Sequence, residues 1–242
     1  EKARNRRLYE TYQRLAQSSI AGSFDESRNI ALARILRRFK QSGIELPTEQ
    51  QQELARLNRE IGGLEFVFLD NLERWAEAWS KRVDDIALLS GLSQAMKDRL
   101  ARAARQAGHD GWLIRLDQNT CQHILKYAEN RALREECYVA YMTRASDQGP
   151  LAGRFDNGPV LTKLLALRQQ KARLLGHENA AQLSLAKHSA GTTAWVSGFL
   201  QRQAAQLAPA LAQDAEQLAA FAQQCGIDRV QPWDEDFLAE QW

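Results

Sequence analysis

The sequence predicts an all-α protein, a multi-helix array with at most one or two short β-strands, and three observations carry that prediction. Apolar residues recur at steps of three and four, as in Leu54, Leu57, Ile61, Leu64, Phe68, Leu72, Trp75 and Trp79. That spacing lines up side chains on one helix face. The chain is rich in Ala, Leu, Gln, Arg and Glu, which lose little freedom on entering a helix. Breakers are few, with 5 prolines and 14 glycines in 242 residues, and runs of branched or aromatic residues are scarce. At 44% hydrophobic and 26% charged residues, a chain of this length can bury a sizeable core and does not read as disordered.

Each element follows from local signals. Residues 3–20 carry a modest apolar stripe of Leu8, Tyr12, Leu15 and Ala16. Ser23 and Glu26 have capping-box spacing and open a helix bearing Ile30, Ala33, Leu36 and Phe39, which Ser42-Gly43 should end. Pro47 forces an extended residue before it, and Thr48 with Gln51 forms a second capping-box pair at the head of the longest predicted helix. Gly62-Gly63 lies inside that helix and suggests close approach by another backbone, while Trp75 and Trp79 read as core. Val83, Ile86 and Leu88 fit a short strand or an irregular connection, and Trp112–Leu116 is the best strand candidate. Ser93 should cap a helix over 94–106, with further helices over 120–128 and 131–145, the latter capped by Asn130. Pro159 suits the first turn of a helix ending before Gly176. A short helix is expected over 178–187. From Thr192 a long run with Trp195, Phe199, Leu207, Leu211, Leu218 and Phe221 should be kinked or divided at Pro209 and closed by Gly226. Pro232-Trp233-Asp234 starts the last segment.

A net charge of +2 makes no general case for a polyanionic partner. Two basic clusters stand out, Arg4, Arg6 and Arg7, then Arg34, Arg37, Arg38 and Lys40. Their simplest reading is a solvated helix face. A nucleic-acid site would need them merged on one face beside stacking aromatics. Cys121, Cys137 and Cys225 are odd in number and far apart. They read as buried or half-buried thiols of a reducing compartment. No apolar run approaches the ~20 residues of a membrane span.

Few residue patterns carry chemistry. A peptidase zinc helix needs histidines at i and i+4 with a glutamate beside the first. The four histidines are His109, His123, His177 and His188, and no two are four apart. His177-Glu178-Asn179-Ala180-Ala181 begins like that motif but has alanine at the second ligand position. Cys121 and His123 would point to opposite sides of a helix, too far for a thiol–imidazole pair. The glycines at 149, 153 and 158 form no nucleotide fingerprint. The acidic groups Asp84-Asp85, Glu135-Glu136 and Asp234-Glu235-Asp236 have no assignable partner. No catalytic, cofactor-binding or metal-ligating residue is therefore assigned.

One resemblance is far more specific than these motifs. The segments NRALREECYVAYMTRASDQGP, RFDNGPVLTKLLALRQQKARLLG and NAAQLSLAKHSAG, spread over 126–186 and just beyond, resemble the thimet-oligopeptidase-like zinc metallopeptidases. So do SGIELPTEQQQELARLNREIGGLEFVFLDN before them and QPWDEDFLAEQ after them, in the same order, whereas the first forty residues match loosely. In that family two largely helical halves enclose a channel that admits only short peptides, and the zinc helix lies in the more C-terminal half. The resemblance implies that residues 1–242 are the helical N-terminal and middle region, with any subdivision near 108–118 and the catalytic zinc domain absent. It implies a non-catalytic, cytoplasmic fragment that forms channel wall and limits substrate size. Zinc is then expected only in the full-length protein. Short peptides and the missing catalytic region would be its partners, with self-association of the fragment also expected. The alternative is a stand-alone helical module binding a protein or nucleic acid.

Overall fold

The computed structural model describes residues 5–186 and 188–242. It is almost wholly helical, with one two-stranded antiparallel ribbon among the described residues. The helices are α1 (Arg6–Ala16), α2 (Ser19–Gly22), α3 (Glu26–Gln41), α4 (Thr48–Ala78), α5 (Gln94–Gln106), α6 (Gln118–Tyr127), α7 (Arg131–Met142), α8 (Gly158–Leu174), α9 (Ala180–Leu185), α10 (Thr193–Gln224) and α11 (Pro232–Gln241). The ribbon is β1 (Lys81–Val83) with β2 (Trp112–Ile114), and a 3-10 turn follows at Ile86–Leu89. The chain forms two compact units, one from residues up to 64 plus 163–196, the other from 65–162 plus 197–242.

In the first unit, α1 lies against α3 through Tyr9, Phe39 and Ile44. The Tyr9 and Phe39 rings meet at 5.3 Å in a tilted arrangement that suits their quadrupoles. The Tyr9 hydroxyl donates to Glu45. Burial, followed by that bond to a carboxylate, pushes its pKa up to about 12. Leu57 and Ile61 of α4 pack on Leu164 and Leu167 of α8. Gly43 ends α3 at φ +80°, where a Cβ would come within 2.4 Å of Leu54 Cδ2.

Several local expectations are corrected in this unit. The cap of α3 is Asp25, whose Oδ1 accepts from the Arg28 N–H, while the Ser23 hydroxyl donates to Ile20 O. Both residue types cap well, so the sequence left the register open by two positions. Thr48 is already helical, and the Gln51 amide donates to the Leu46 and Ile44 carbonyls of the preceding turn. The stretch 3–20 breaks between α1 and α2 near Ser18, whose hydroxyl donates to Leu15 O. The Glu178–Lys187 helix shortens to α9, capped by Asn179, and Lys187 lies outside the described residues.

The second unit holds the largest core. Trp75 and Trp79 stack at 6.3 Å and are 1% and 6% exposed, surrounded by Leu89, Leu100, Ile114 and Ile124. The register pairs Val83 with Trp112 and Lys81 with Ile114, which puts the buried Val83 and Ile114 on one face. The helix expected over 120–128 begins two residues earlier, because Asp117 caps it through the Thr120 N–H and hydroxyl. Asn157 is 3% exposed and fully used: its amide donates to Phe68 O at 3.1 Å, its Oδ1 accepts from Asn71, and its N–H donates to Ala145 O. It fastens the loop before α8 to α4.

The α11 helix is held from within. Asp234 is fully buried, and its carboxylate accepts from Arg134 Nη2 at 2.8 Å, from Arg131 Nε and Nη2, and from the Gln231 N–H. Arg134, 1% exposed, spends its remaining donors on the carbonyls of Ala128, Glu129 and Trp233 and lies 4.0 Å over the Phe237 ring. Every charge is met, the condition under which a buried pair is tolerated. Burial works against the ionised Asp234, but the two arginines and the backbone N–H outweigh it and hold the carboxyl below its ordinary range.

One further expectation fails, and of the kink or division expected at Pro209 the division does. Gly62 and Gly63 approach nothing, since a Cβ at either would meet no atom within 4 Å. Pro209 does not divide α10, which runs through it. The proline removes one donor, and the orphaned carbonyl sits on an exposed face where water can bond it. Cys121 and Cys137 are buried as expected, whereas Cys225 is exposed.

Arg134→Ala should lower unfolding stability by about 3–5 kcal/mol in urea titrations, because it removes one of the two guanidiniums on a buried carboxylate and leaves three carbonyls without their donor. The stability that Asp234 supplies is present above its unfolded pKa of about 3.9 and lost as pH falls through the lower folded value. Asp234→Asn should therefore flatten the acid limb of a stability–pH profile. Gly91→Ala should cost more than about 1–3 kcal/mol. Gly91 has φ +84°, and a Cβ there would lie 2.0 Å from the Tyr127 carbonyl oxygen.

Candidate functional site

His109 and His123 belong to the second unit, whereas His177 and His188 line one cleft of the first. His109 sits exposed on the turn after α5. His123 is half-buried on α6, where its Nε2 lies 3.3 Å from the Ser93 hydroxyl and its ring tilts against Tyr127. Burial lowers its pKa, favouring the neutral ring. Ser93 Oγ already accepts from the Met96 N–H as the cap of α5, so this Ser–His contact closes a helix start. Cys121 turns the other way into the core, and burial pushes its thiol up to about 11. Burial likewise raises the Cys137 thiol. Neither is an activated nucleophile. Among the described residues no group of three or more His, Cys, Asp or Glu could hold a metal ion. The described residues therefore do not fit a zinc site.

The acidic groups find structural work. Glu136 pairs with Lys81 at 2.6 Å, Asp84 with Arg82 at 2.8 Å, and Asp234 belongs to the buried network. Glu240 pairs with Lys126, tying α11 to α6 from outside.

A cleft of about 590 Å³ in the first unit is lined by Leu46, Leu175 and Leu185 together with Arg37, His177 and His188. A second space of about 360 Å³ shares Arg37, Gln41, Ala186 and His188 with it and adds Arg34 and Arg38. Gln41 donates to Ala186 O, holding the end of α9 against α3. His188 Nδ1 lies 2.9 Å from Ser184 O; as the donor there, it leaves Nε2 outward. The arginine cluster was visible in the sequence. Its meeting with His177 and His188 was not, because that depends on where α8 and α9 end beside α3. A third hollow of about 350 Å³, in the second unit, is bordered by Phe68, Leu72, Asp147 and Asp156.

Comparison with known proteins now bears on these surfaces. The model of peptidase family M3 matches residues 124–242. The chain is 36% identical over 234 residues to oligopeptidase A of Salmonella typhimurium and equally to that of Escherichia coli, covering 96% of this chain and 34% of each relative. It is 32% identical over 225 residues to dipeptidyl carboxypeptidase of Escherichia coli, covering 89% of this chain and 32% of the relative. The chain thus spans about a third of the length of the curated relatives it matches. No helix among the described residues is long and apolar enough to cross a membrane. The chain is thus similar over nearly its whole length to oligopeptidases A, and its residues 124–242 match peptidase family M3, the thimet-oligopeptidase-like peptidases.

Proposed function

We propose that these residues are the helical, non-catalytic portion of a cytoplasmic, zinc-dependent oligopeptidase that acts on short peptides. They form part of the wall that limits substrate size, while the metal and its ligands belong to a catalytic region outside this sequence. The observation that carries the reading is the match of nearly the whole chain to one third of oligopeptidase A.

The surface of α10 supports it. Of this 32-residue helix, Ala222 is the buried residue. Leu200, Leu207 and Leu211, spaced by seven and four, fall on one side and are 58%, 53% and 61% exposed. An apolar helix face left in water is an interaction surface. In the complete peptidase we assign its cover to the catalytic region.

The pure chain should bind no stoichiometric zinc by metal analysis and should not cleave a fluorogenic short peptide. Chelator-sensitive hydrolysis by this chain alone would overturn the proposal. The uncovered face should also drive self-association, so Leu207→Lys with Leu211→Lys should shift the species in sedimentation experiments towards monomer. Identical sedimentation of both proteins as assemblies would assign the contact elsewhere.

A further inference from the structure

We propose that the paired clefts between α3 and the end of α9 form a binding site for a small oligophosphate. Arg34, Arg37 and Arg38 are its phosphate-binding groups, and Leu46, Leu175 and Leu185 form a floor for any organic body attached. The inference is independent of the peptidase reading, since it concerns ligand binding by this unit.

Arg34, Arg37 and Arg38 stand at i, i+3 and i+4 on one helix, so their guanidiniums share a face and repel one another. Some other cations of this unit have a carboxylate partner. Arg28 of the same helix pairs with Asp25, Arg56 with Glu53 and Glu60, and Lys40 with Glu45. Among the described residues, none of the three cleft arginines has an ion pair, and no carboxylate lines the space they enclose. Glu45 does line the larger space, but it is already taken by Lys40 and the Tyr9 hydroxyl. His188 and His177 add further nitrogens at the mouth.

Three unpaired guanidiniums on a concave surface select for a ligand with several negative charges and many acceptor oxygens. A single peptide carboxylate carries one charge and leaves two arginines unmet. A linear oligophosphate satisfies the fork geometry of all three. The adjoining cleft is large enough for a body such as a nucleoside, and its half-buried leucines offer it an apolar surface. The overall charge of +2 does not bear on this, because it averages over the whole chain and says nothing of one cleft.

The test is calorimetric titration of the 242-residue chain with sodium tripolyphosphate and with adenosine triphosphate, in about 150 mM salt to suppress loose surface binding. Saturable binding at one site is expected. Arg37→Gln and Arg38→Gln, exposed positions that leave the core untouched, should each weaken it about ten- to a hundredfold. Arg28→Gln, on the same helix but outside the cleft, should leave it unchanged. Tighter binding of adenosine triphosphate than of tripolyphosphate identifies an organic ligand lying on the leucine floor; equal binding identifies an inorganic one. Either result upholds the site. No saturation by about 1 mM, or equal weakening by Arg28→Gln, would overturn it. So would single-stranded RNA whose affinity rises with length and displaces tripolyphosphate, since that describes an extended nucleic-acid surface.

Discussion

The second unit depends on the carboxylate of Asp234. It sits where water cannot reach, and it is ionised because two guanidiniums and a backbone N–H converge on it. Arg134 is equally enclosed, with three carbonyls and an aromatic face taking up what Asp234 leaves. Such an arrangement adds little net stability over an apolar replacement of the same shape, yet it is unforgiving of partial loss. It also fixes direction. The carbonyls of Ala128 and Glu129 belong to the break between α6 and α7, so one side chain sets the angle at which two helices and α11 meet. The outer Lys126–Glu240 pair follows the same line but is exposed and correspondingly weak.

Much of the architecture was written in local chemistry. The Ser93, Asn130 and Thr192 caps, the glycine stops at 43, 176 and 226, and the short strand at Trp112 all stand where the sequence puts them. What was not legible was decided by competition among equals. Ser23 and Asp25 are both good caps, and the hydroxyl lost because it serves the carbonyl of Ile20 instead. Pro209 reads as a break in any local rule, but on an exposed face the cost is one bond that solvent restores. Gly62-Gly63 signalled a close approach that does not exist, and nothing in the structure explains the pair.

Site chemistry was legible where it depends on short-range spacing and hidden where it depends on distant packing. Periodicity alone separated Cys121 from His123, and the fold keeps them on opposite sides of α6. The acidic triplet at 234–236 looked like surface charge, whereas its first member is the most enclosed carboxylate of the unit. Its partners lie 100 positions upstream, and no short-range pattern reports a contact of that range. The same holds for His177 and His188 beside the arginines of α3. Helix ends separated by over a hundred residues become neighbours only through packing.

The hundred-residue gap between Arg134 and Asp234 also sets an order in time. On a ribosome adding about 5–20 residues per second, α6 and α7 emerge several seconds before the acidic partner of their central guanidinium is made. During that interval the nascent helices carry a cation whose burial would be prohibitive, so Arg134 must stay hydrated and the tryptophan-lined core around it incomplete. The aspartate acts as a late latch on helices made before it.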